Sequence, residues 1–316
     1  MSELSSSKVN PEHVKVLILG AGPAGLSAAL YAARADLQPL VLTGIQLGGQ
    51  VALTNTIENY PGFPEGVGGV ELGELFQKQA ERFGAHVQFD SALSVDLSSK
   101  PFKVVADTGE YLADTLIIST GASPNLLNIP GETSLTGRGV SYCATCDGWF
   151  FKDKKVAVVG GGDSALEEGL FLTRFATSVT IIHRRESFRA GVILQKRAKD
   201  NPKMKFIWNS IVTDVIGEER VESINVKNIQ TGEVESFKTD GLFIFVGHTP
   251  NSQMFTHQLE MENGYIKVND RMHTSVPGVF AAGESADPRF KQVITSAGMG
   301  AAAAMEATRF LEQENS

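Results

Sequence analysis

Residues 14–25, VKVLILGAGPAG, decide the fold class because they lead an apolar strand into a glycine-rich turn. The first half predicts a buried strand, and the Ala- and Leu-rich run that follows at 26–35 predicts a helix. Gly20, Gly22 and Gly25 have the spacing that lets a chain turn sharply, approach a pyrophosphate and pack a helix closely on a strand. Strand, turn and helix in this order predict a dinucleotide-binding unit, with the pyrophosphate at the amino end of the helix.

The same pattern returns in the middle of the chain. A short apolar run at 155–159 leads into Gly160, Gly162 and Ala165, and a helical pattern follows at 166–175. Alanine is an accepted third residue of this fingerprint. Two such units predict two dinucleotides, one in each domain, and the alternative is a second unit that only echoes the first.

A cluster of cations follows the second unit. The strand predicted at 178–182 ends in His183, Arg184 and Arg185, with Arg189 close behind. A site selective for NAD places an acidic residue here, against the ribose 2′-hydroxyl. Arginine forms forked hydrogen bonds to a 2′-phosphate, so the cluster predicts NADPH. The alternative is a solvated run of surface charge.

The first unit carries no such selector. Thr43 and Gly44 stand at the equivalent place, so this half alone does not distinguish FAD from NAD. Turn-rich loops at 48–50 and 57–62 lie on the expected binding side. In the second of these loops, Asn59 is either a ligand contact or only a turn-former.

Cys143 and Cys146 are the two cysteines of the chain, and they form one C-x-x-C motif. A zinc site normally needs a second pair of Cys or His ligands, and none lies at a suitable spacing. A structural disulfide is unusual in a cytosolic chain. The motif therefore predicts a dithiol–disulfide redox centre.

Length and composition limit the remaining possibilities. The 316 residues allow two domains, and the net charge of −8 argues against general nucleic-acid binding. No apolar run is long enough to span a bilayer. The polar residues 1–13 lack the core of a signal peptide and predict a frayed tail before the first strand. We therefore expect a cytoplasmic protein.

The order of the motifs predicts one domain interrupted by another. Apolar strands at 116–118 and 278–282 end in Gly121 and Gly283, and the Gly/Ala-rich run at 297–311 predicts a closely packed helix. The expected class is α/β, with two Rossmann-like three-layer dinucleotide-binding domains, one inserted in the other. The predicted domains are 1–121, 122–250 and 251–316, the first and last forming one domain.

Together these motifs resemble the low-molecular-weight thioredoxin reductases along nearly the whole chain. The likeness is carried by residues 20–25, 49–50, 58–62, 143–148, 160–165 and 183–190. The resemblance implies FAD in the discontinuous domain and NADPH in the inserted one. It also implies a homodimer, a large rotation of one domain against the other during turnover, and thioredoxin or a similar small disulfide protein as partner.

The resemblance further implies roles for individual residues. Cys146 would face the flavin, Cys143 would attack the partner disulfide, and Asp147 would manage the thiol proton. A turn-forming role for Asp147 before Gly148 is the other interpretation, and the two roles are compatible. The residues expected to bind FAD are Gly20, Gly22, Pro23, Ala24, Gly25, Thr43, Gly49, Gln50, Asn59, Gly121, Gly283, Glu284, Lys291, Gln292 and Val293. Those expected to bind NADPH are Gly160, Gly162, Asp163, Ser164, Ala165, His183, Arg184, Arg185 and Arg189.

Three departures from the family lie in the FAD domain. The family's Gly-Asp is Gly283-Glu284 here, and its Arg-Gln is Lys291-Gln292, which replaces a planar fork with a point charge. A cysteine often found in the last helix is absent, with Ala301 near its place. These departures concern the affinity or potential of FAD, and none touches the redox centre.

Other functions remain open at the level of the sequence. A related enzyme would take electrons from ferredoxin or deliver them to another small disulfide protein, but such relatives tend to lose the glycine and arginine elements kept here. A regulatory module that only senses redox state is the alternative from another class. A flavin ferredoxin–NADP reductase would not need the dithiol. Arg138, Phe150 and Phe151 are candidate partner contacts, although packing explains the aromatics equally well.

Overall fold

The computed structural model describes residues 11–54 and 56–314 and divides the chain into two compact units. The first unit extends to Ser123 and resumes at Thr249, and the second runs from Pro124 to His248. Each unit contains a sheet of its own, built on parallel strands. The predicted α/β class, with one Rossmann-like domain inserted in another, is confirmed.

The first unit opens with eight elements. They are β1 (Glu12–Leu19), α1 (Pro23–Arg34), β2 (Leu40–Leu42), α2 (Gly69–Glu81), β3 (His86–Gln88), β4 (Ala92–Asp96), β5 (Phe102–Ala106) and β6 (Glu110–Ile118). A short strand, β7 (Ala122–Pro124), then leads into the second unit.

The second unit alternates strands and helices before it ends in antiparallel strands and a last parallel one. Its elements are β8 (Val140–Ser141), α3 (Ala144–Asp147), β9 (Lys155–Gly160), α4 (Asp163–Leu172), β10 (Ser178–Ile182), α5 (Val192–Asp200), β11 (Met204–Ile207), β12 (Ser210–Ile216), β13 (Ser223–Asn228), β14 (Val234–Lys238) and β15 (Gly241–Phe245).

The chain returns to the first unit through β16 (His248–Pro250), which pairs with β7. The remaining elements are β17 (Met261–Glu262), β18 (Tyr265–Ile266), β19 (Val279–Ala281) and α6 (Val293–Glu314). Single 3-10 turns lie at Gly49–Leu53, Gly148–Phe151, Gln253–Phe255 and Gly283–Ser285.

The sheet of the first unit has a parallel core in the order β3-β2-β1-β6, and β19 pairs with the carboxyl half of β6. The hairpin β4–β5 extends it on the amino half of β6. Both faces are covered, which explains why the carboxyl half of β1, residues 16–19, is a continuous apolar run. The carboxyl ends of β1, β2, β6 and β19 therefore lie on one edge, where a Rossmann-like fold binds its ligand.

Helix α6 packs directly on α1. A Cβ on Gly300 would lie 1.9 Å from the carbonyl oxygen of Ala24, so only glycine allows this approach. The close packing predicted for the Gly/Ala-rich run is thus confirmed. The helix is longer than the run at 297–311, because it already begins at Val293 and continues through three polar residues after Leu311 to Glu314.

The second unit repeats the arrangement with a fully parallel sheet in the order β11-β10-β9-β15-β8. One face packs against α4 and α5, and the antiparallel sheet β12-β13-β14 covers the other. The glycine turn between β9 and α4 again lies at the carboxyl edge of the central strands. Both glycine motifs therefore lie at the carboxyl ends of the parallel strands, where folds of this topology bind their ligands.

The predicted frayed tail is corrected at its inner end. Glu12 and His13 belong to β1 and pair with Tyr111 and Leu112, because the strand gains ladder hydrogen bonds by extending along β6. The rest of the predicted tail, residues 1–10, lies outside the described residues. Between residues 11 and 314, with residue 55 set aside, no helix combines the length and apolarity needed to cross a membrane.

Candidate active site

Cys143 and Cys146 are joined by a disulfide, with their Cα atoms 5.3 Å apart. Cys143 caps the amino end of α3, and Cys146 lies inside this short helix. Across the described parts of the chain, no group of three or more His, Cys, Asp or Glu side chains is arranged to hold a metal ion. The pair is thus placed for redox chemistry, in the same unit as the second glycine turn.

Hydrogen-bond donors surround the sulfur of Cys143. The backbone N–H of Cys146 donates to Cys143 Sγ at 3.2 Å, and the Thr145 hydroxyl lies 3.3 Å from the same sulfur. Donors at this position favour a thiolate over a thiol once the disulfide is reduced. The sulfur that gains this support is that of Cys143.

Two hydrogen bonds that the motif donates to residues outside it fix its backbone. The N–H of Ala144 donates to Glu168 Oε2 on α4 at 3.2 Å, and the N–H of Cys143 donates to Ser141 Oγ at 3.1 Å. Neither Glu168 nor Ser141 stood out in the sequence. A Glu near the end of a glycine motif is also an ordinary helix residue, and a Ser in a strand has no distinguishing signal.

Asp147 has a different environment from an ordinary surface carboxylate. The Ser141 hydroxyl donates to Asp147 Oδ2 at 2.6 Å. Burial raises the pKa of Asp147, and the hydrogen bond from Ser141 opposes that rise. A carboxyl group with a raised pKa is suited to exchange protons near neutral pH. Its side chain makes no capping hydrogen bond to the following 3-10 turn, which the turn-forming alternative would require.

The aromatic residues after the motif divide into exposed and buried ones. Phe151 packs edge-to-face against Phe243 at 5.0 Å and belongs to the core of the second unit, so packing explains it. Trp149 and Phe150 are 51% and 40% exposed. Trp149 was missed by the sequence reasoning, although an exposed Trp beside a redox motif is a recognisable signal. Arg138 is also exposed.

In the first glycine turn, two glycines are required by packing. Gly20 has a φ of +105°, and a Cβ on it would lie 2.4 Å from Ser119 O. A Cβ on Gly25 would lie 1.8 Å from Gly20 O. At Gly22 the space is open, and the amino end of α1 has no side-chain cap. Open space beside uncapped N–H groups fits a pyrophosphate.

The predicted FAD residues come together around this turn, although they lie far apart in sequence. Gln50 Nε2 donates to the carbonyl of Ala122 and to Glu284 Oε2, the latter at 3.1 Å. Asn59 Nδ2 donates to Gln292 Oε1 at 3.2 Å. Gly49 lies close to Gly22, and Gly283 lies close to Ala24. The other predicted residues lie at the ends of elements: Pro23 begins α1, Gly121 follows β6 and Val293 begins α6.

Glu284 is the titratable group at the centre of this cluster. Burial raises its pKa, whereas the charge of Lys291 and the hydrogen bond from Gln50 oppose the rise. The loop that carries Lys291 is held by Asp287, whose carboxylate accepts the N–H groups of Arg289, Phe290 and Lys291. The sequence reasoning missed Asp287, because its partners are backbone atoms.

Thr43 is placed differently from the other predicted residues. It is buried, and its hydroxyl donates to the carbonyl of Gly44 at 2.8 Å. The hydroxyl is thus used within the loop after β2, while the backbone of that loop is anchored to Gln88 and Asp90.

The second glycine turn follows the same rules as the first. A Cβ on Gly160 would lie 2.6 Å from both Ala165 Cβ and Phe245 O, whereas Gly162 has open space beside it. The amino end of α4 has no side-chain cap. Ser164 and Asp163 are exposed in its first turn, and Asp163 Oδ1 accepts the N–H of Gly191 at 2.8 Å. This turn therefore also fits a pyrophosphate.

The basic cluster separates into one buried and three exposed residues. His183 is buried, its Nε2 lies 3.1 Å from Ser187 O, and burial lowers its pKa. Arg184, Arg185 and Arg189 have exposed side chains, and the N–H of Arg189 donates to Gly161 O at 2.8 Å. The arginine segment is thus tied to the glycine turn, while His183 packs beneath it.

Comparison with known proteins agrees with this geometry. The family described as pyridine nucleotide-disulphide oxidoreductase matches residues 14–300. A thioredoxin reductase of Vibrio cholerae serotype O1 is 48% identical over 314 residues, covering 96% of this chain and 99% of that protein. A thioredoxin reductase of Escherichia coli O157:H7 is 47% identical, and the match covers 95% of this chain and 97% of that protein. The crystal structure of thioredoxin reductase from Streptococcus pyogenes MGAS5005 superimposes with a TM-score of 0.91 at 40% identity, covering 95% and 99%.

Proposed function

The chain belongs to the pyridine nucleotide-disulphide oxidoreductase family, and within it to the thioredoxin reductases, and from this membership we propose that it reduces the disulfide of thioredoxin with electrons from NADPH. It is a flavoprotein disulfide reductase whose cofactors are FAD and NADPH. The observation that carries the proposal is the Cys143–Cys146 disulfide in the unit that also holds the second glycine turn.

We propose that the first unit holds FAD. The open space at Gly22 and the uncapped amino end of α1 suit its pyrophosphate. The side chains of Gln50, Asn59 and Glu284 lie along the same edge of the sheet and would orient the rest of the cofactor. When bound, FAD takes an electron pair from reduced nicotinamide and passes it to a disulfide.

We propose that the second unit holds NADPH. The turn at Gly162 would take the pyrophosphate, and the three exposed arginines would take the 2′-phosphate. His183 stays a proposed NADPH residue, and its buried ring, whose Nε2 lies 3.1 Å from Ser187 O, would also support the arginine segment.

The sulfur chemistry follows from the hydrogen-bond donors at the Cys143 sulfur and from the carboxyl group of Asp147. After reduction, the Cys143 thiolate attacks the thioredoxin disulfide, forming a mixed disulfide and releasing one thioredoxin thiolate. Cys146 then gives its proton to Asp147 and attacks the Cys143 sulfur. This restores the Cys143–Cys146 bond and releases the second thioredoxin thiolate, to which Asp147 returns the proton.

We also propose a homodimer. An apolar groove on the first unit is lined by Leu30, Tyr31, Phe76 and Ile294, among others, and the last residue is exposed. Exposed apolar surface of this kind suits a second copy of the chain. Light scattering should give a dimer mass, which Ile294→Glu lowers and Ile211→Glu, at an exposed site of the second unit, does not. A cytosolic location stays a prediction.

Steady-state turnover tests the proposed function. With oxidised thioredoxin as acceptor, NADPH should support turnover with a KM at least about tenfold below that of NADH. Cys146→Ser should abolish turnover and leave FAD bound. Reduction of thioredoxin by ferredoxin but not by NADPH would favour the ferredoxin-dependent alternative, and no reduction by either would contradict the proposal.

A further inference from the structure

Ser141 is the residue that connects Asp147 to the backbone of the redox motif. It is buried at the end of β8, and its hydroxyl has three partners within hydrogen-bond distance. The Cys143 N–H lies at 3.1 Å, the Asp147 carboxylate at 2.6 Å and the Cys143 carbonyl at 3.2 Å.

The three partners cannot all be hydrogen-bonded by one hydroxyl at the same time. The N–H of Cys143 needs an acceptor, whereas the carboxylate of Asp147 and the carbonyl of Cys143 both need a donor. A serine hydroxyl has a single proton and accepts with the remaining lone pairs, so it serves only one of the two acceptors at a time. The shorter distance to Asp147 assigns that proton to the carboxylate when Asp147 is ionised.

We propose that Ser141 is a positioning residue whose hydroxyl follows the proton of Asp147, donating to the ionised carboxylate and turning to the Cys143 carbonyl when Asp147 carries a proton. In the second state the Asp147 O–H donates to Ser141 Oγ, which continues to accept from Cys143 N–H. When the hydroxyl donates to Asp147, the Cys143 carbonyl still accepts the backbone N–H of Asp147 at 3.2 Å, so no partner is left unpaired in either state. This inference rests on the proposed acid/base role of Asp147.

The surroundings of Asp147 leave Ser141 as its main polar partner. The 3-10 turn Gly148–Phe151 packs against α3 and carries no titratable side chain, and α4 presents Glu168, which accepts from Ala144. The remaining titratable groups on the motif are the two cysteines. Burial raises the pKa of Asp147, and the Ser141 hydrogen bond is the contact that opposes it. Loss of this bond therefore shifts Asp147 toward its protonated form.

The experiment is the anaerobic half-reaction of NADPH-reduced enzyme with oxidised thioredoxin, followed across pH. In Ser141→Ala, the part of the pH–rate profile that depends on ionised Asp147 should move to higher pH. The rate of thioredoxin reduction should be roughly tenfold lower at neutral pH and should recover in alkaline solution. Ser141→Thr, which keeps the hydroxyl, should restore the wild-type profile. Reduction of FAD by NADPH and the FAD content should stay unchanged in both variants.

A matched control is Ser134→Ala, which removes an exposed hydroxyl of the same unit that donates to Gly131 O, and it should change nothing. An unshifted profile in Ser141→Ala, or an equal loss at every pH, overturns the inference. Asp147→Asn distinguishes failure of the acid/base role of Asp147 from failure of the role of Ser141. If Asp147→Asn keeps the wild-type pH dependence, the acid/base role fails and the inference with it. If Asp147→Asn loses this pH dependence while Ser141→Ala leaves it unshifted, only the inference about Ser141 is overturned.

Discussion

The side-chain amide of Gln50 donates to the carboxylate of Glu284 across 3.1 Å, although the two residues are 234 positions apart. The contact joins the 3-10 turn after β2 to the one after β19, at the edge of the sheet where FAD is expected. It also places a carboxylate in a largely buried position, which has a cost in stability when the group is ionised.

Replacement of Glu284 by Gln should stabilise the FAD-free protein. Burial raises the folded-state pKa of Glu284 above its unfolded-state pKa. The wild type therefore loses stability as the pH rises from the unfolded-state pKa through the folded-state pKa. Gln removes that loss while keeping an oxygen for Gln50, so the free energy of unfolding at neutral pH should rise by about 1 kcal/mol.

Thermal unfolding at several pH values measures this effect. The variant should melt about 2–4 °C above the wild type at neutral pH and no higher below about pH 4. Glu262→Gln, at an exposed glutamate of the same unit, serves as the control. A constant difference at all pH values would show that the charge of Glu284 is not its source.

Nucleotide preference should depend on the exposed arginines. In Arg184→Ala/Arg185→Ala, the KM for NADPH should rise about tenfold or more, while the KM for NADH stays nearly constant, because only NADPH carries the 2′-phosphate. Arg174→Ala, which removes a cation near the Phe171 ring in the same unit, is the control. Equal losses with both nucleotides would place the arginines outside the 2′-phosphate site.

Local patterns made most of the fold predictable. The strand–glycine–helix runs at 14–35 and 155–175 each lie within one supersecondary unit, so their spacing alone predicts both nucleotide sites. The return of the chain to the first sheet was also predictable, because the apolar strand ending at Gly283 matches the one ending at Gly121. The start of β1 was not, since Glu12 and His13 are polar and join the strand only through pairing with β6.

The finer contacts of the site were not predictable, for a common reason. Gln50 with Glu284 and Ser141 with Asp147 are hydrogen bonds that depend on where separate elements bring the side chains. Burial of His183 likewise follows from the packing of its ring against Phe188 and Trp208. Sequence spacing reports none of these three-dimensional relations.

The buried carboxylate of Glu306 should stabilise the first unit in a pH-dependent way. Its side chain is only 8% exposed. Burial alone would raise its pKa, but hydrogen bonds from His273, Arg271 and Arg309 lower it overall. A folded-state pKa below the unfolded-state pKa stabilises the protein at pH values above the unfolded-state pKa. This stabilisation is lost as the pH falls through the folded-state pKa.

In Glu306→Gln the free energy of unfolding should fall by about 1–2 kcal/mol at neutral pH, because both arginines are half exposed and partly screened. The difference from the wild type should shrink in acid. Glu74→Gln, in an exposed pair with Lys78, should cost less than about 0.5 kcal/mol. A loss at Glu306 that stays constant into acid would contradict the argument.

The two cysteines should differ when thioredoxin is trapped. Cys146→Ser leaves Cys143 to attack and removes the group that resolves the mixed disulfide, so a covalent complex should accumulate. Cys143→Ser should give much less, since the hydrogen-bond donors lie at the Cys143 sulfur. Non-reducing electrophoresis with thioredoxin lacking its own resolving cysteine measures the difference. The reverse pattern would exchange the two roles.

Anaerobic titration with NADPH tests whether Cys143 and Cys146 form a redox centre that NADPH supplies with electrons through FAD. Each disulfide and each flavin takes up one electron pair, so the wild type should consume about two equivalents before its flavin is fully bleached. Cys146→Ser should consume about one. Equal consumption by both proteins would contradict this redox role, because the Cys143–Cys146 bond would then take no electrons from NADPH.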